Sequence, residues 1–360
     1  MRRSLRIVGG FVLALSVVGA FLWFVGPRRV LAELSTANLP VFAAGFVAVL
    51  GAFWCWSEAL RRLLTTVGQE VGGPRYRAAF MSGELAKQVV PMGHSGGPVF
   101  VSYAVSRETD APYESTLAAA TVVEFVNIAS SVVLATGGLT VVLLGQQGPL
   151  EPVFLALLAG LAVASGGLFG ASALVYYYRA LVERIVLRLA GLGRATVGRL
   201  SGRVRVALAG ERIQGTFETY YAAFDRALVD RGAVRRAAVF SLLGWALFLL
   251  PLYTSFLAIG DPVPYALVVF VVPVLSLVNV VPLPGGLGGF EVALAAVLVA
   301  LVGVELPVAT AGVFLYRLSN YWFVVLVGVV ASAVVSVRPS TAPPILGPGE
   351  ETPVPGPDEE

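Results

Sequence analysis

Residues Ala237–Ile259 read AAVFSLLGWALFLLPLYTSFLAI, without one charged side chain. A helix rising about 1.5 Å per residue crosses a hydrocarbon core of about 30 Å with roughly 20 such residues. This stretch therefore reads as a membrane span. Working outward, similar apolar runs cover residues 7–26, 39–57, 116–145, 149–178 and 306–337. The whole chain of 360 residues is 57% hydrophobic and only 13% charged, with mean hydropathy +0.82. A soluble domain needs more polar surface than that. No repeated alternating pattern suggests an outer-membrane barrel. The expected fold is an all-α polytopic membrane protein with about six to eight transmembrane helices.

Net charge is +3. In a soluble chain such a balance would point to nucleic acid, but the placement of the charges gives another meaning. Residues 179–236 hold 12 of the arginines against five acids and read as a cytoplasmic Arg-rich segment of amphipathic helices at the head groups. With the N-terminus inside, 21 of the 25 basic residues fall on the cytoplasmic side, as the positive-inside bias requires. Both termini are then cytoplasmic, in the cell membrane of a prokaryote. Arg2, Arg3 and Arg6 before residues 7–26 resemble a signal peptide. The apolar run is longer than the roughly 7–15 residues of a signal core, however, and reads as an uncleaved span. Residues 1–337 form one membrane domain, and 338–360, with seven prolines and five acids, read as a disordered tail.

Two segments are apolar but broken. Residues 78–103 contain Pro91-Met-Gly-His-Ser-Gly-Gly-Pro98, and residues 264–303 contain Pro282-Leu-Pro-Gly-Gly-Leu-Gly-Gly-Phe-Glu291. Each flanking half of the first is too short to cross a bilayer, so a re-entrant hairpin is expected there. The order span, span, broken hairpin, span then occurs twice, the layout of an inverted repeat, in which paired broken segments mark a transporter's binding site. The alternative for residues 264–303 is two ordinary spans joined by a Gly-rich turn.

Gly285, Gly286, Gly288 and Gly289 let backbone approach a ligand. Glu291 falls in the first turn of the next helix, whose free N–H groups suit an anion; it equally suits the helix dipole of a tight structural turn. Gly93-His-Ser-Gly-Gly97 looks like a hydrolase elbow around Ser95, but His94 is the sole histidine and adjoins the serine, so no triad follows. His94 serves either a ligand or backbone carbonyls. Glu84 and Lys87, Glu124 and Asn127, and Arg317 and Asn320 are each three apart, on one helix face, and Asn279 precedes the second break. Ionisable groups at membrane depth are candidates for substrate binding; the plainer role is ion pairs tying the bundle together. Cys55 is the sole cysteine, which excludes an internal disulfide, and no Gly-x4-Gly-Lys-Ser/Thr loop occurs. No metal, cofactor or nucleic-acid site is indicated.

Leu283-Pro-Gly-Gly-Leu-Gly-Gly-Phe-Glu291, with Tyr316-Arg317 and Tyr321 in the following span, resembles the membrane region of the lysylphosphatidylglycerol synthases, a flippase-like family with many stand-alone members. The similarity extends over most of residues 5–337. Two departures stand out: Gly97-Pro98 where the family often has Gly-Glu, and Phe125 where it often has Arg after the intramembrane Glu. The resemblance implies movement of phosphate-bearing lipid between leaflets. The family's lysyl-transferring members carry a soluble catalytic domain after the membrane part, whereas 23 residues follow here, so synthase activity is not implied. The competing expectations are an intramembrane enzyme modifying lipid head groups and a non-transporting scaffold.

Overall fold

A computed structural model describes residues 19–90, 96–145, 152–179, 210–278 and 284–336, together with Ser16, Leu181, Glu183, Arg184 and Arg188. Among the described residues the protein is helical, with no strand. Residues 19–25 are helical and end at Gly26, whose φ of 97° turns the chain into α1 (Pro27–Ser35). Then follow α2 (Leu39–Thr66), α3 (Gly73–Val89), α4 (Gly97–Glu108), α5 (Tyr113–Gly145) and α6 (Pro152–Tyr177). The second half holds α7 (Gly210–Val229), α8 (Arg231–Ile259), α9 (Tyr265–Val278), α10 (Gly289–Val302), α11 (Leu306–Arg317) and α12 (Phe323–Ser336). A 3-10 turn at Pro284–Gly286 precedes α10, and a π-helical turn at Leu318–Trp322 joins α11 to α12. Most of the first expected span and the acidic tail lie outside the described residues.

Four helical stretches are long and apolar enough to cross a membrane: Leu39–Thr66, Tyr113–Gly145, Arg231–Ile259 and Leu306–Val335. Two of these begin earlier than the hydropathy suggests. Asp230 accepts a hydrogen bond from the Ala233 amide at 2.9 Å and caps α8, so Arg231, Arg235 and Arg236 belong to the spanning helix rather than to the polar segment before it. Cap chemistry, not hydropathy, sets that boundary. Within the described part of the Arg-rich segment, α7 packs against α5 rather than standing apart. There Arg179 donates to both oxygens of Asp225 at 2.8 and 2.6 Å and holds that carboxyl below its ordinary range.

At the centre of the bundle α2 and α8 run antiparallel. The Asn38 amide, at the start of α2, donates to the Ala258 carbonyl near the end of α8 at 2.8 Å, while Trp56 lies beside Gly244 and stacks edge-on with Trp245. Inside a lipid phase, apolar burial does not favour one helix contact over another, so close packing has to hold the seam. Gly45 provides it: a Cβ there would stand 2.9 Å from Thr254 Oγ1 and 3.4 Å from Pro251 Cα.

Apart from those of α6, which packs on α9 and α10 and has no counterpart among the described residues, the remaining contacts follow one rule. Pairing α1 with α7, α2 with α8, α3 with α9, α4 with α10 and α5 with α11–α12 maps the packing of one half onto the other. Thus α3 packs on α12 as α9 packs on α5, α4 on α5 as α10 on α11, and α2 on α5 as α8 on α11. Matching glycines serve the first of these pairs. Gly328 lets α3 approach at Met81 and Leu85, and Gly138 lets α9 approach at Ala266 and Phe270. Because the self-paired helices α2 and α8 are antiparallel, the halves are related as an inverted repeat, and α3–α4 and α9–α10 are its two short hairpins.

Candidate functional site

The polar pairs recur at one depth in this repeat. Glu84 and Lys87 stand eleven and fourteen residues after the start of α3, Glu124 and Asn127 the same distances into α5, and Arg317 and Asn320 the same into α11. Counted from the start of α9, the two positions are Ser276 and Asn279. Eleven residues of helix rise about 16 Å, half of a hydrocarbon core of about 30 Å. The three pairs that contain a charge therefore belong near mid-membrane, where an unpaired charge is costly.

The structure gathers them into two groups. In the second half, the chain stops α9, passes through the 3-10 turn and restarts as α10. Gly285 (φ 59°), Gly286 (φ 64°) and Gly288 (φ 87°) take left-handed conformations that other residues rarely adopt. Gly289 is the first residue of α10 and Glu291 its third. One Glu291 oxygen accepts the Gly288 amide proton at 2.6 Å and the other accepts Arg317 Nε at 2.6 Å. The anion seat expected at this helix start is thus filled by the chain's own carboxylate. Arg317 also donates through Nη2 to the Gly285 carbonyl at 2.7 Å, leaving Nη1 for a further acceptor. Its guanidinium lies 4.6 Å from the Tyr321 ring centre and 5.3 Å from that of Phe290. Both charges are deeply buried, Glu291 at 3% and Arg317 at 7% exposure, and each is compensated by the other.

The π-helical turn begins at the residue after Arg317. Such one-turn bulges reset the register of side chains and are frequent at functional sites. Here the turn buries Asn320 and Tyr321, and among the described residues neither Asn320 Nδ2 nor the Tyr321 hydroxyl has a hydrogen-bond partner. Tyr321 was not among the site residues anticipated from composition and spacing. Its sequence signals are its position one turn beyond Arg317 and its place in the motif that carries the family resemblance.

In the first half, Lys87 Nζ lies 3.2 Å from Glu84 and 3.7 Å from Glu124. Gly97, at the start of α4, lets the lysine stem pass, since a Cβ there would stand 2.9 Å from Lys87 Cε. A small cavity opens beside this cluster, lined by Leu60, Glu84, Gly97, Pro98, Glu124 and Asn127 among others. It is a small space, with room for water and not for a head group. Asn127 Oδ1 faces no donor among the described residues. Glu124, Glu291 and Arg317 do not form one ion cluster among the described residues: Glu124 meets Lys87 and Glu291 meets Arg317, because each half of the repeat supplies an opposite charge nearer by. His94, Ser95 and Asn279 lie outside the described residues.

A third cluster had not been singled out. Glu58, 3% exposed, is held by Arg61 at 2.5 Å, Arg62 at 2.9 Å and Arg77 at 3.7 Å. Tyr76 donates to the Ser57 carbonyl at 2.6 Å and locks α3 onto α2 beside it.

Long apolar helices, two Gly/Pro-broken hairpins and compensated charges at mid-depth define an integral α-helical membrane protein built as an inverted repeat. The chain belongs to the lysylphosphatidylglycerol synthase TM region family, whose model matches residues 7–328. Among curated proteins it is 26% identical over 331 residues to a protein of Haloferax volcanii named glycosyltransferase AglD, a match covering 87% of this chain. The chain spans about half, 52%, of that protein's length. It is 24% identical over 340 residues to a UPF0104 membrane protein of Methanothermobacter thermautotrophicus, covering 91% of this chain and 92% of the relative.

Proposed function

We propose that this protein moves a phosphate-bearing lipid or lipid-linked substrate between membrane leaflets. One observation carries the reading. Two buried donors, Asn320 Nδ2 and the Tyr321 hydroxyl, stand three and four residues after Arg317 beside the broken helix and have no hydrogen-bond partner among the described residues. Phosphate oxygens are strong acceptors, and a guanidinium binds them with directed bonds. Family membership and the inverted repeat support the same function.

Reconstituted into vesicles with a head-group-labelled anionic lipid, the protein is expected to exchange label between leaflets without altering the lipid. Arg317→Lys keeps the charge but loses the planar fork, and should impair exchange while the protein still inserts and purifies. Undiminished exchange in Arg317→Ala, Glu124→Ala and Glu291→Ala alike would place transport elsewhere. A second reading, modification of a lipid head group, is favoured by the glycosyltransferase name of one relative. It predicts a chemically altered lipid in the same assay.

The proposed orientation places α7 and both termini in the cytoplasm of a cell membrane, where an Arg-rich surface meets anionic lipid. In a Cys55→Ala background, Glu218→Cys at an exposed position of α7 should resist an impermeant thiol reagent applied outside intact cells and react after lysis. Labelling from outside would reverse the topology.

A further inference from the structure

The two intramembrane ion clusters differ in charge balance. Glu291 and Arg317 cancel, and both Glu291 oxygens already accept hydrogen bonds, from Gly288 N and Arg317 Nε. That carboxylate is already paired and hydrogen-bonded as an anion. In the other half, two carboxylates, Glu84 and Glu124, share the single ammonium of Lys87. One negative charge is left over in a site where Glu84 is 6% exposed and the Glu124 side chain 31% exposed. An uncompensated buried charge is costly, and taking up a proton removes that cost.

A neutral carboxyl also needs an acceptor for its new O–H. Asn127 Oδ1 lines the same cavity, three residues beyond Glu124 on the same helix face, and is enclosed with no donor among the described residues. The cavity itself has room for water as a proton carrier. Among the described residues that line the cavity, none besides Glu84 and Glu124 is charged. Next to the cluster, α2 and α4 present Leu60, Gly97, Pro98 and Val101. The contacts of α12 with α3 are through Gly328 and Ser332, and the 3-10 turn that touches α3 is Pro284–Gly286. The titratable group on α7 near here is Tyr220, which bonds Thr121 one turn before Glu124.

We propose that Glu84, Lys87 and Glu124 form a proton-binding site that holds one proton on its carboxylate pair, with Asn127 Oδ1 accepting the hydrogen bond. If the protein is a transporter, as proposed above, this proton is the coupling ion; the binding itself does not rest on that reading. The step is a simple protonation: water in the cavity delivers H⁺ to one carboxylate oxygen, an O–H bond forms, and the cluster goes from net −1 to neutral.

Infrared difference spectra of the purified full-length protein between about pH 9 and about pH 6, above the ordinary carboxylate range, test the site directly. A deuterium-sensitive carboxylic acid band should appear on acidification. It should be absent from Glu84→Gln and Glu124→Gln, each of which balances Lys87 with a single carboxylate, and persist in Glu291→Gln. Lys87→Met leaves two carboxylates without a cation, and the band should then appear at higher pH. Where a Gln variant fails to purify as a monodisperse protein, the Lys87→Met shift stands as the test. No band in wild type, a band surviving in both Gln variants, an unmoved band in Lys87→Met, or suppression of the band by sodium at fixed pH would each overturn the proposal. Because none of these readouts uses lipid exchange, a failed transport assay and a failed proton site are told apart.

Discussion

Arg317→Ala is expected to destabilise the protein by about 3–5 kcal/mol, the range found when one partner of a buried ion pair is removed. Glu291, 3% exposed, would keep only the Gly288 amide, and the Gly285 carbonyl would lose its donor. Tyr321 and Phe290 would lose the cation between their rings. The variant should reach the membrane poorly or unfold in detergent at a much lower temperature than wild type. The double variant Arg317→Ala, Glu291→Ala separates charge from packing. Removing both partners leaves no uncompensated ion, so it should recover a large part of the lost stability. Thermal unfolding of the four proteins in one detergent forms the cycle. Equal, additive losses would mean that the two side chains do not depend on each other.

Gly285→Ala should cost nearly as much for a different reason. At φ 59° and ψ 16°, a residue with a side chain carries about 1–2 kcal/mol of left-handed strain. A Cβ there would also collide with the Tyr321 ring, and displacing the ring forfeits a buried cation–π contact worth about 2 kcal/mol. Gly303→Ala isolates the first contribution. It has φ 76° at the end of α10 and open space where the methyl would stand. The expected order of unfolding temperature is wild type, Gly303→Ala, then Gly285→Ala well below both. If the two substitutions cost the same, the fit of Tyr321 against the backbone contributes nothing. In the exchange assay Gly285→Ala should be far more impaired than Gly303→Ala, since only Gly285 touches Arg317.

The spans and the broken hairpins were legible because lipid imposes simple conditions. A helix such as Ala237–Ile259 has to be apolar along its length, and clusters such as Pro284-Gly-Gly286 cannot continue one. The i, i+3 polar pairs were also visible, because their spacing is local. Their partners were not. Lys87 meets Glu124 and Glu291 meets Arg317 only through the packing of separate helices, and no local rule says which carboxylate takes which cation. The π-helical turn left no trace either, since Leu318–Trp322 has the composition of any interfacial helical turn. Glu58 escaped notice for a related reason. It stands where an apolar run gives way to arginines and looks like an ordinary boundary residue until α3 folds back and brings Arg77 against it.

The exchange of packing partners between the two halves also bears on descent. A chain of half this length, inserted in the bilayer in both orientations, would form the α2–α8 seam as an antiparallel homodimer, with both copies using the same face. Duplication and fusion would freeze one copy in each orientation. From then on the two would be free to diverge, since a substitution in one no longer appears twice. The eleventh residue after the helix start shows that divergence: an acid, Glu124, in one copy and a base, Arg317, in the other. Fusion is what permits a single molecule to keep a balanced ion pair on one side of its axis and an unbalanced carboxylate pair on the other.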